Sequence, residues 1–571
     1  MPEADGTTAH GDVVARFAGW EAALLGAVFV VAASFEAVVI PYRNWDALDT
    51  GSWSRTIADG SFYRGIYDVQ LHRPLFYVGQ GLLWLAIGYH PAAGRLLSLA
   101  FTLLLGACVW ILAGRLTTDE ATRRLARALA LVVLLSCEIV LQYVSSGLTD
   151  IPVAATAALT AVLLTSQLGR ARVPLVALGA AATVLAKPSG LLALSGIVLA
   201  AAVFLFDAET RRAAATGLLA VAAGIALALV YDGYEAHRLG EGLYAFLSAG
   251  ANWDYWRIRA ASTRTPALLG AKWLGAAVSI VVVHGLVFAV ARLAGARLRF
   301  ALLLAAIAAL LWSLAGPMVA DGTAPRPLQD APSLLFLGYL ALGAALVAAP
   351  YLGPQDDPVS RRTYGALLLW AAPGALSWIL LRSDEPRLLS PAWPALVLLA
   401  AASLSVVVRT LARRSTAAAL VALGAVGLIA LTTLPSIDGF DRASWRALLD
   451  RGPDGWNRTA MEEFAWGPFY DEVASLRRVV RPGDRIVSED GRLRSLFPGQ
   501  IQIAYPRDCA QLSGARAFVL LLDGPARFVI RANGGTASPR VWEACRKPAL
   551  RRLSSHAGSY VVFGVRPTAA D

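Results

Sequence analysis

The segment Pro41–Pro74 reads PYRNWDALDTGSWSRTIADGSFYRGIYDVQLHRP. It is acidic, basic and aromatic together: Asp46, Asp49, Asp59 and Asp68 alternate with Arg43, Arg55, Arg64, His72 and Arg73, and with Trp45 and Trp53. It lies between two apolar runs, Trp20–Ile40 before it and Pro74–Gly88 after it. The first run has the length of a bilayer crossing, about 20 residues. No small-residue cleavage pattern follows it, so it reads as a retained helix rather than a signal peptide. Pro74–Gly88 is short for a crossing and reads as a helix half-sunk in the membrane surface.

The same alternation continues along the chain. Of 571 residues, 57% are hydrophobic and only 16% charged, against roughly 25% charged in soluble domains. Apolar runs fall at about Trp20–Ile40, Arg95–Leu116, Ala128–Val144, Ile151–Gln167, Val173–Ala186, Gly190–Phe206, Ala213–Tyr231, Pro266–Leu293, Phe300–Ala320, Ser333–Leu352, Tyr364–Leu381, Leu388–Val408 and Thr416–Leu434. The expected fold is a polytopic α-helical membrane protein of about 13 transmembrane helices.

Charge orients these spans. With the N-terminus in the cytoplasm, the cytoplasmic loops carry Arg115, Arg123, Arg124 and Arg127; Arg170 and Arg172; Arg211 and Arg212; Arg292, Arg297 and Arg299; Arg361 and Arg362; and Arg409, Arg413 and Arg414. The other side receives Ser145–Asp150, Lys187–Ser189, Asp232–Thr265, Asp321–Pro332 and Arg382–Arg387. That asymmetry is the positive-inside pattern, and counting Pro74–Gly88 as a full span would invert it. The net charge of +11 is thus spent on orientation. No nucleic-acid motif accompanies it, and no nucleic-acid partner is expected.

From about Pro435 the composition turns polar, and period-two strings appear at DRIVSE (Asp484), AFVLLLD (Ala517) and SYVVFGV (Ser559), preceded by a helical pattern at Asp471–Val480. Residues 437–571 therefore read as a small external α/β domain after a transmembrane domain over 1–436, with the first external loop at 41–94. Cys509 and Cys545 both lie in the external part. They either pair as a disulfide or stand as separate thiols, and spacing does not decide between the two.

The chemistry-bearing residues gather on the non-cytoplasmic side. Asp46 and Asp49 head the first loop, and Asp150 closes the second external turn. Arg55, His72, Arg73, Lys187 and Arg387 supply cations there, and Trp253 an indole face for stacking on a sugar. Acids of this kind serve as general bases for a hydroxyl or amine, and cations at helix ends suit a lipid-linked phosphate. Each also has a plainer reading. Asp46 and Asp49 fit solvated loop acids or helix caps. Asp150, after Thr149 and before Ile151-Pro152, fits a cap better than any other single role. Lys187 fits a lysine snorkelling to the interface, and the tryptophans fit an interfacial belt. No phosphate-binding G-x-x-x-x-G-K-[ST] loop, H-E-x-x-H motif or zinc-type Cys/His spacing occurs, so no metal ligands are assigned. The first-loop acids are of the type that holds a divalent cation, although no spacing requires one.

Several fragments in order resemble one family. DALDTGSWSRTIADG (Asp46–Gly60) is similar to a first-loop frame that opens on an acidic pair, with Ala47 here in place of the second acid and Asp49 two residues on. His72-Arg73-Pro74-Leu75-Phe76-Tyr77 resembles a Lys-Pro-Pro-Leu-Tyr-Tyr opening of a surface helix, with a cation kept but not the lysine. GLTDIP (Gly147), LAKPSGLL (Leu185) and EPRLLSPAWPALVLLAA (Glu385) resemble later turns. The family is the C superfamily of integral-membrane glycosyltransferases, in the branch of bacterial protein O-mannosyltransferases and the lipid A aminoarabinose transferase.

The resemblance implies a multi-pass enzyme of the bacterial inner membrane, with its C-terminal domain outside the cytoplasm. It implies a polyprenyl-phosphate-linked sugar donor, a protein, lipid or glycan acceptor, and membrane lipids as surroundings. Asp46 would be the general base and Asp150 would shape the donor or acceptor site. Arg73 or His72, Lys187 and Arg387 would neutralise the donor phosphate. A membrane transporter or flippase is the principal alternative, and a polysaccharide polymerase or ligase acting on lipid-linked sugars is another. The matched, broken half-spans common in transporters are not seen.

Overall fold

The computed structural model describes residues 23–34, 54, 73–87, 92–136, 140, 144, 149–238, 240, 242, 359, 361–380, 389–417, 419–421, 423–424, 476, 480–481, 483–488, 497, 500–503, 514–521, 546–555 and 558–565. Its helices are α1 (Ala23–Ser34), α2 (Pro74–Ile87), α3 (Ala92–Ala113), α4 (Glu120–Ser136), α5 (Asp150–Leu164), α6 (Arg172–Ala186), α7 (Gly190–Ala202), α8 (Arg211–Arg238), α9 (Arg361–Leu380) and α10 (Trp393–Arg414). Among the described residues, three helical stretches are long and apolar enough to cross a membrane, Arg95–Ala113, Gly169–Ala186 and Arg211–His237. Pro74–Gly88 was expected as one short helix, and α2 is that helix. The total of about thirteen spans extends into segments outside the described residues.

Several expected boundaries move: the span expected from Ala128 begins at Glu120 as α4, and the one expected over Leu388–Val408 runs from Trp393 to Arg414 as α10. The span expected to end at Tyr231 continues as α8 to Arg238, so Asp232 and Glu235 are helical rather than loop residues. No proline interrupts that stretch, and a break comes with Gly240, whose φ of +73° is left-handed. The span expected over Gly190–Phe206 is α-helical only to Ala202 and tightens into a 3₁₀ turn over Val203–Phe206.

Helix α10 is the most enclosed element. Ala395 to Ala402 and Val406 to Val408 are buried on every face, as expected of a helix apolar all round. It packs on α3, α4, α5 and α9, while α6 packs on α5 and α8 and α7 packs on α9. Small residues let these backbones close up, the usual device where lipid supplies no hydrophobic drive between helices. A Cβ on Gly196 of α7 would stand 2.0 Å from the Trp370 carbonyl oxygen of α9, and one on Gly224 of α8 would stand 2.2 Å from that of Ala177 on α6. The buried hydroxyls of Thr156, Thr160 and Thr183 donate back to carbonyls of Pro152, Thr156 and Gly179 at 2.7, 2.8 and 2.8 Å, so the α5–α6 contact carries no unpaid polar cost from them. Leu219, Leu227 and Val230 on α8 stay outward and exposed, as lipid-facing residues do.

Arginines bind one end of the bundle together. Arg115, just past α3, donates to the Val162 carbonyl oxygen at 2.8 Å and to Ser166 Oγ at 3.0 Å, and also bonds Thr165, so it caps the C-terminus of α5. Arg172 donates to the carbonyl oxygens of Leu164 at 2.5 Å and Ala213 at 3.3 Å. Arg409 of α10 pairs with Asp119 and Thr122 at the head of α4, and Arg362 of α9 pairs with Asp207. The loop arginines that were read as orientation signals are also inter-helix ties.

Two carboxylates in these ties titrate low. Burial works against the charged form of Asp119, but hydrogen bonds from Thr122 and Arg409 outweigh it and hold its pKa below the usual value. The Glu209 backbone N–H and Arg362 do the same for Asp207. A folded-state pKa below the unfolded one contributes stability above about pH 4, which is lost as pH falls through the folded value. Acid titration of the detergent-solubilised protein should therefore lower its thermal midpoint below about pH 4, with a shallower fall in Asp119→Asn.

The C-terminal part holds one mixed five-stranded sheet in the order β2-β1-β3-β5-β4. The strands are β1 (Arg485–Ser488), β2 (Ile501–Ile503), β3 (Ala515–Leu521), β4 (Arg546–Ser555) and β5 (Gly558–Val565). β1 runs parallel to β2 and β3, pairing Ile486 with Ile501 and Val487 with Phe518. β5 runs antiparallel to β3 and β4, pairing Val562 with Val519 and Ser559 with Ser554. The three expected strands are present, while β2 and β4 escaped the sequence reading. β2 is three residues long. β4 reads RKPALRRLSS, with proline and four cations and no alternation. It lies on the sheet edge, where charge, proline and its register shifts block further pairing.

Candidate functional site

The opposite end of the bundle carries a different set of groups. α5 begins at Asp150 because Thr149 is its N-cap; the Val153 N–H reaches the Thr149 carbonyl oxygen at 3.2 Å, without a side-chain cap bond. Capping, the expected role of Asp150, is therefore not what its carboxylate does. Oδ1 accepts from Lys187 Nζ at 2.7 Å and from Ser390 Oγ at 3.4 Å. Asp150 and Ser390 are each 1% exposed, and the carboxylate sits where the α5 dipole favours an anion.

Lys187 reaches Asp150 because of local backbone chemistry. Pro188 disfavours helical geometry in the residue before it, so α6 stops at Ala186 and Lys187 is extended, at φ −163° and ψ 150°. The Gly190 N–H then closes the turn onto the Lys187 carbonyl oxygen at 2.9 Å, and α7 starts. A Cβ on Gly190 would lie 2.0 Å from the Thr183 carbonyl oxygen. Gly190→Ala should thus displace the turn and Lys187 with it, costing about 1–3 kcal/mol or more. Gly365→Ala on α9, where a Cβ meets nothing within 4 Å, should be neutral or stabilising by up to about 1 kcal/mol. Thermal unfolding of the two variants side by side checks both.

At the same end of the bundle, Arg73 stands immediately before α2 and forms an ion pair with Asp232 of α8. Arg73 is 7% exposed and Asp232 fully buried. Tyr77, one turn along α2, lies within electrostatic reach of Arg73, Tyr231 and Glu235. Ser54, from the first polar loop, donates to Gln80 Oε1 of α2 at 2.7 Å, and both residues are buried. α2 also packs on α3 and α6. α2 therefore connects Ser54, Arg73 and the helix that ends in Lys187.

Of the expected site residues, Asp150 and Lys187 come into direct contact, and Arg73 lies at the same end. Asp46, Asp49, Arg55, His72, Arg387 and Trp253 fall outside the described residues, as do Cys509 and Cys545. One partner was missed by the sequence reading, and two acids were placed in a loop rather than on a helix. Ser390 stood unremarked inside EPRLLSPAWP, and Asp232 and Glu235 were counted as loop charges. Their signal was spacing: an acid at i and another at i+3 on a continuing helix share one face. Among the described residues, no group of three or more His, Cys, Asp or Glu side chains is placed to hold a metal ion.

Helices with lipid-facing apolar surfaces, arginine ties at one end and a buried ionic cluster at the other define a polytopic helical membrane protein. No protein-family model matches the chain, and no curated protein matches it. Its fold is similar to that of ArnT from Cupriavidus metallidurans bound to undecaprenyl phosphate, with a TM-score of 0.54 at 14% identity over 97% of this chain and 98% of that one. The apo state of the same protein gives 0.43 at 13% identity, over 96% of this chain and 99% of that one. An Archaeoglobus fulgidus oligosaccharyltransferase in complex with Zn and sulfate gives 0.43 at 12% identity, over 95% of this chain and 72% of that one.

Proposed function

We propose that this protein is a membrane glycosyltransferase. It takes a sugar from a polyprenyl-phosphate-linked donor and passes it to an acceptor hydroxyl or amine at the outer face of a bacterial inner membrane. One observation carries the reading: the Asp150–Lys187–Ser390 cluster lies at the bundle end away from the arginine ties, on the fold of a protein solved with undecaprenyl phosphate bound. By the positive-inside rule the arginine end is cytoplasmic, which turns the cluster outward. The sheet of residues 485–565 belongs in this reading to an external domain over 437–571.

In the mechanism, Asp46 removes the acceptor proton while the acceptor attacks the anomeric carbon. The bond from that carbon to the phosphate oxygen breaks, and the phosphate leaves with the bonding pair. Lys187, Arg73 and Arg387 stabilise that developing charge; fixed cations in a water-poor site are worth several kcal/mol. Asp150 holds Lys187 in place until phosphate arrives. Arg55, His72 and Trp253 complete the donor and acceptor surfaces, Trp253 by stacking on the sugar. No nucleotide is needed at the site, consistent with the missing nucleotide loop.

The test is a purified preparation in vesicles given a radiolabelled polyprenyl-phosphate sugar and a crude envelope acceptor. Acceptor-dependent loss of label from the lipid supports the proposal. Movement of intact lipid-linked sugar between leaflets without loss of label would assign a flippase instead.

A further inference from the structure

We propose that Asp232 is a positioning residue for Arg73 that tunes the site against the charge of its own product. The inference rests on the transfer reaction just described. Arg73 faces Asp232 directly, fully buried on α8. A second buried acid, Glu235, follows one turn later, and Tyr77 and Tyr231 lie within electrostatic reach of Arg73. The cation is thus already balanced before any ligand arrives.

The donor is a phosphodiester and carries a single negative charge. When the anomeric C–O bond breaks and the acceptor takes the sugar, the acceptor's proton goes to the base and the lipid keeps a phosphomonoester. That group has a second ionisation near pH 6 and bears about −1.5 to −2 charges at pH 7. A like charge within about 4–6 Å disfavours an ionised form. Asp232 beside Arg73 therefore penalises the more highly charged product more than the singly charged donor. Arg73 alone would do the reverse and hold the product longest. Asp232 holds the Arg73 guanidinium against α8 and favours product release.

Two measurements test this. In the wild-type protein at about pH 7.5, where the monoester is largely dianionic, a polyprenyl methyl phosphodiester should bind about tenfold more tightly than the polyprenyl phosphate monoester. Equal affinity, or preference for the monoester, overturns the proposal without recourse to any variant. In Asp232→Asn the preference should collapse: the inhibition constant of the monoester falls about tenfold while KM for the donor changes less than threefold. Asp232→Glu should restore the wild-type ratio. A purely structural Asp232 would move both constants together, and that outcome also overturns it. Wild-type protein that transfers no lipid-linked sugar would instead remove the underlying reaction, which separates the two failures.

Discussion

Asp46→Asn is expected to lower sugar transfer by about two to four orders of magnitude, the usual contribution of a positioned general base. The folded protein should remain, because an asparagine keeps the size and the acceptor oxygen of aspartate. Asp59→Asn, thirteen positions along the same loop, should be mild, since nothing in the proposed reaction uses it. The pair separates a catalytic acid from an acidic loop. Initial rates in vesicles with the lipid-linked donor decide it, and full turnover by the Asp46 variant would remove the assigned role. Loss of turnover in both variants would point to loop charge in general. The described anchor of this loop is the Ser54–Gln80 bond to α2, which ties the segment to the helix headed by Arg73.

The second large effect is expected at the Asp150–Lys187 pair. Lys187→Ala strips a carboxylate that is 2% exposed at its side chain of its short 2.7 Å partner. The 3.4 Å contact from Ser390 is too long to replace it. Breaking a buried pair from one side costs about 3–5 kcal/mol, and the low end applies because Lys187 keeps 23% side-chain exposure and can be hydrated. Asp150→Asn should be gentler, because its amide oxygen still accepts from the ammonium and no lone carboxylate is left buried. The double variant should recover part of the Lys187→Ala loss, with a coupling of about 1–3 kcal/mol in thermal unfolding. Strict additivity would mean the two groups do not act on each other. Transfer activity should fall in all three variants, as each removes or frees the cation proposed to meet the donor phosphate.

These two expectations differ in what supports them. The Asp150–Lys187 pair is a direct contact in the structure between helix ends 37 residues apart in the chain. Asp46 rests on the loop frame and on a resemblance. A result at one does not predict the result at the other: a structural ion pair with an idle Asp46 would leave the fold intact and the reaction proposal without its base.

Much of the fold was readable in the chain. Helix α2 was expected as one short helix because its apolar run stops too soon for a crossing. The α6–α7 turn was visible in Ala-Lys-Pro-Ser-Gly, since proline ends one helix and glycine permits the close start of the next. Three strands were visible as period-two strings. β4 was not, because an edge strand needs no apolar face and its charges serve to block pairing. The run of α8 past Tyr231 was not, because charges at a helix end look the same in sequence as charges in a loop.

What the amino-acid order decided alone was composition-driven: apolar runs of membrane length, arginines concentrated in alternate connections, and acids and cations left for the other side. Those are local properties, set by hydration of one segment at a time. What only the tertiary structure decided is which charge answers which. Ser390 meets Asp150 across 240 residues and Asp232 meets Arg73 across the bundle, because a buried charge must find a partner in space, and the packing of α2, α5, α6, α8 and α10 selects it.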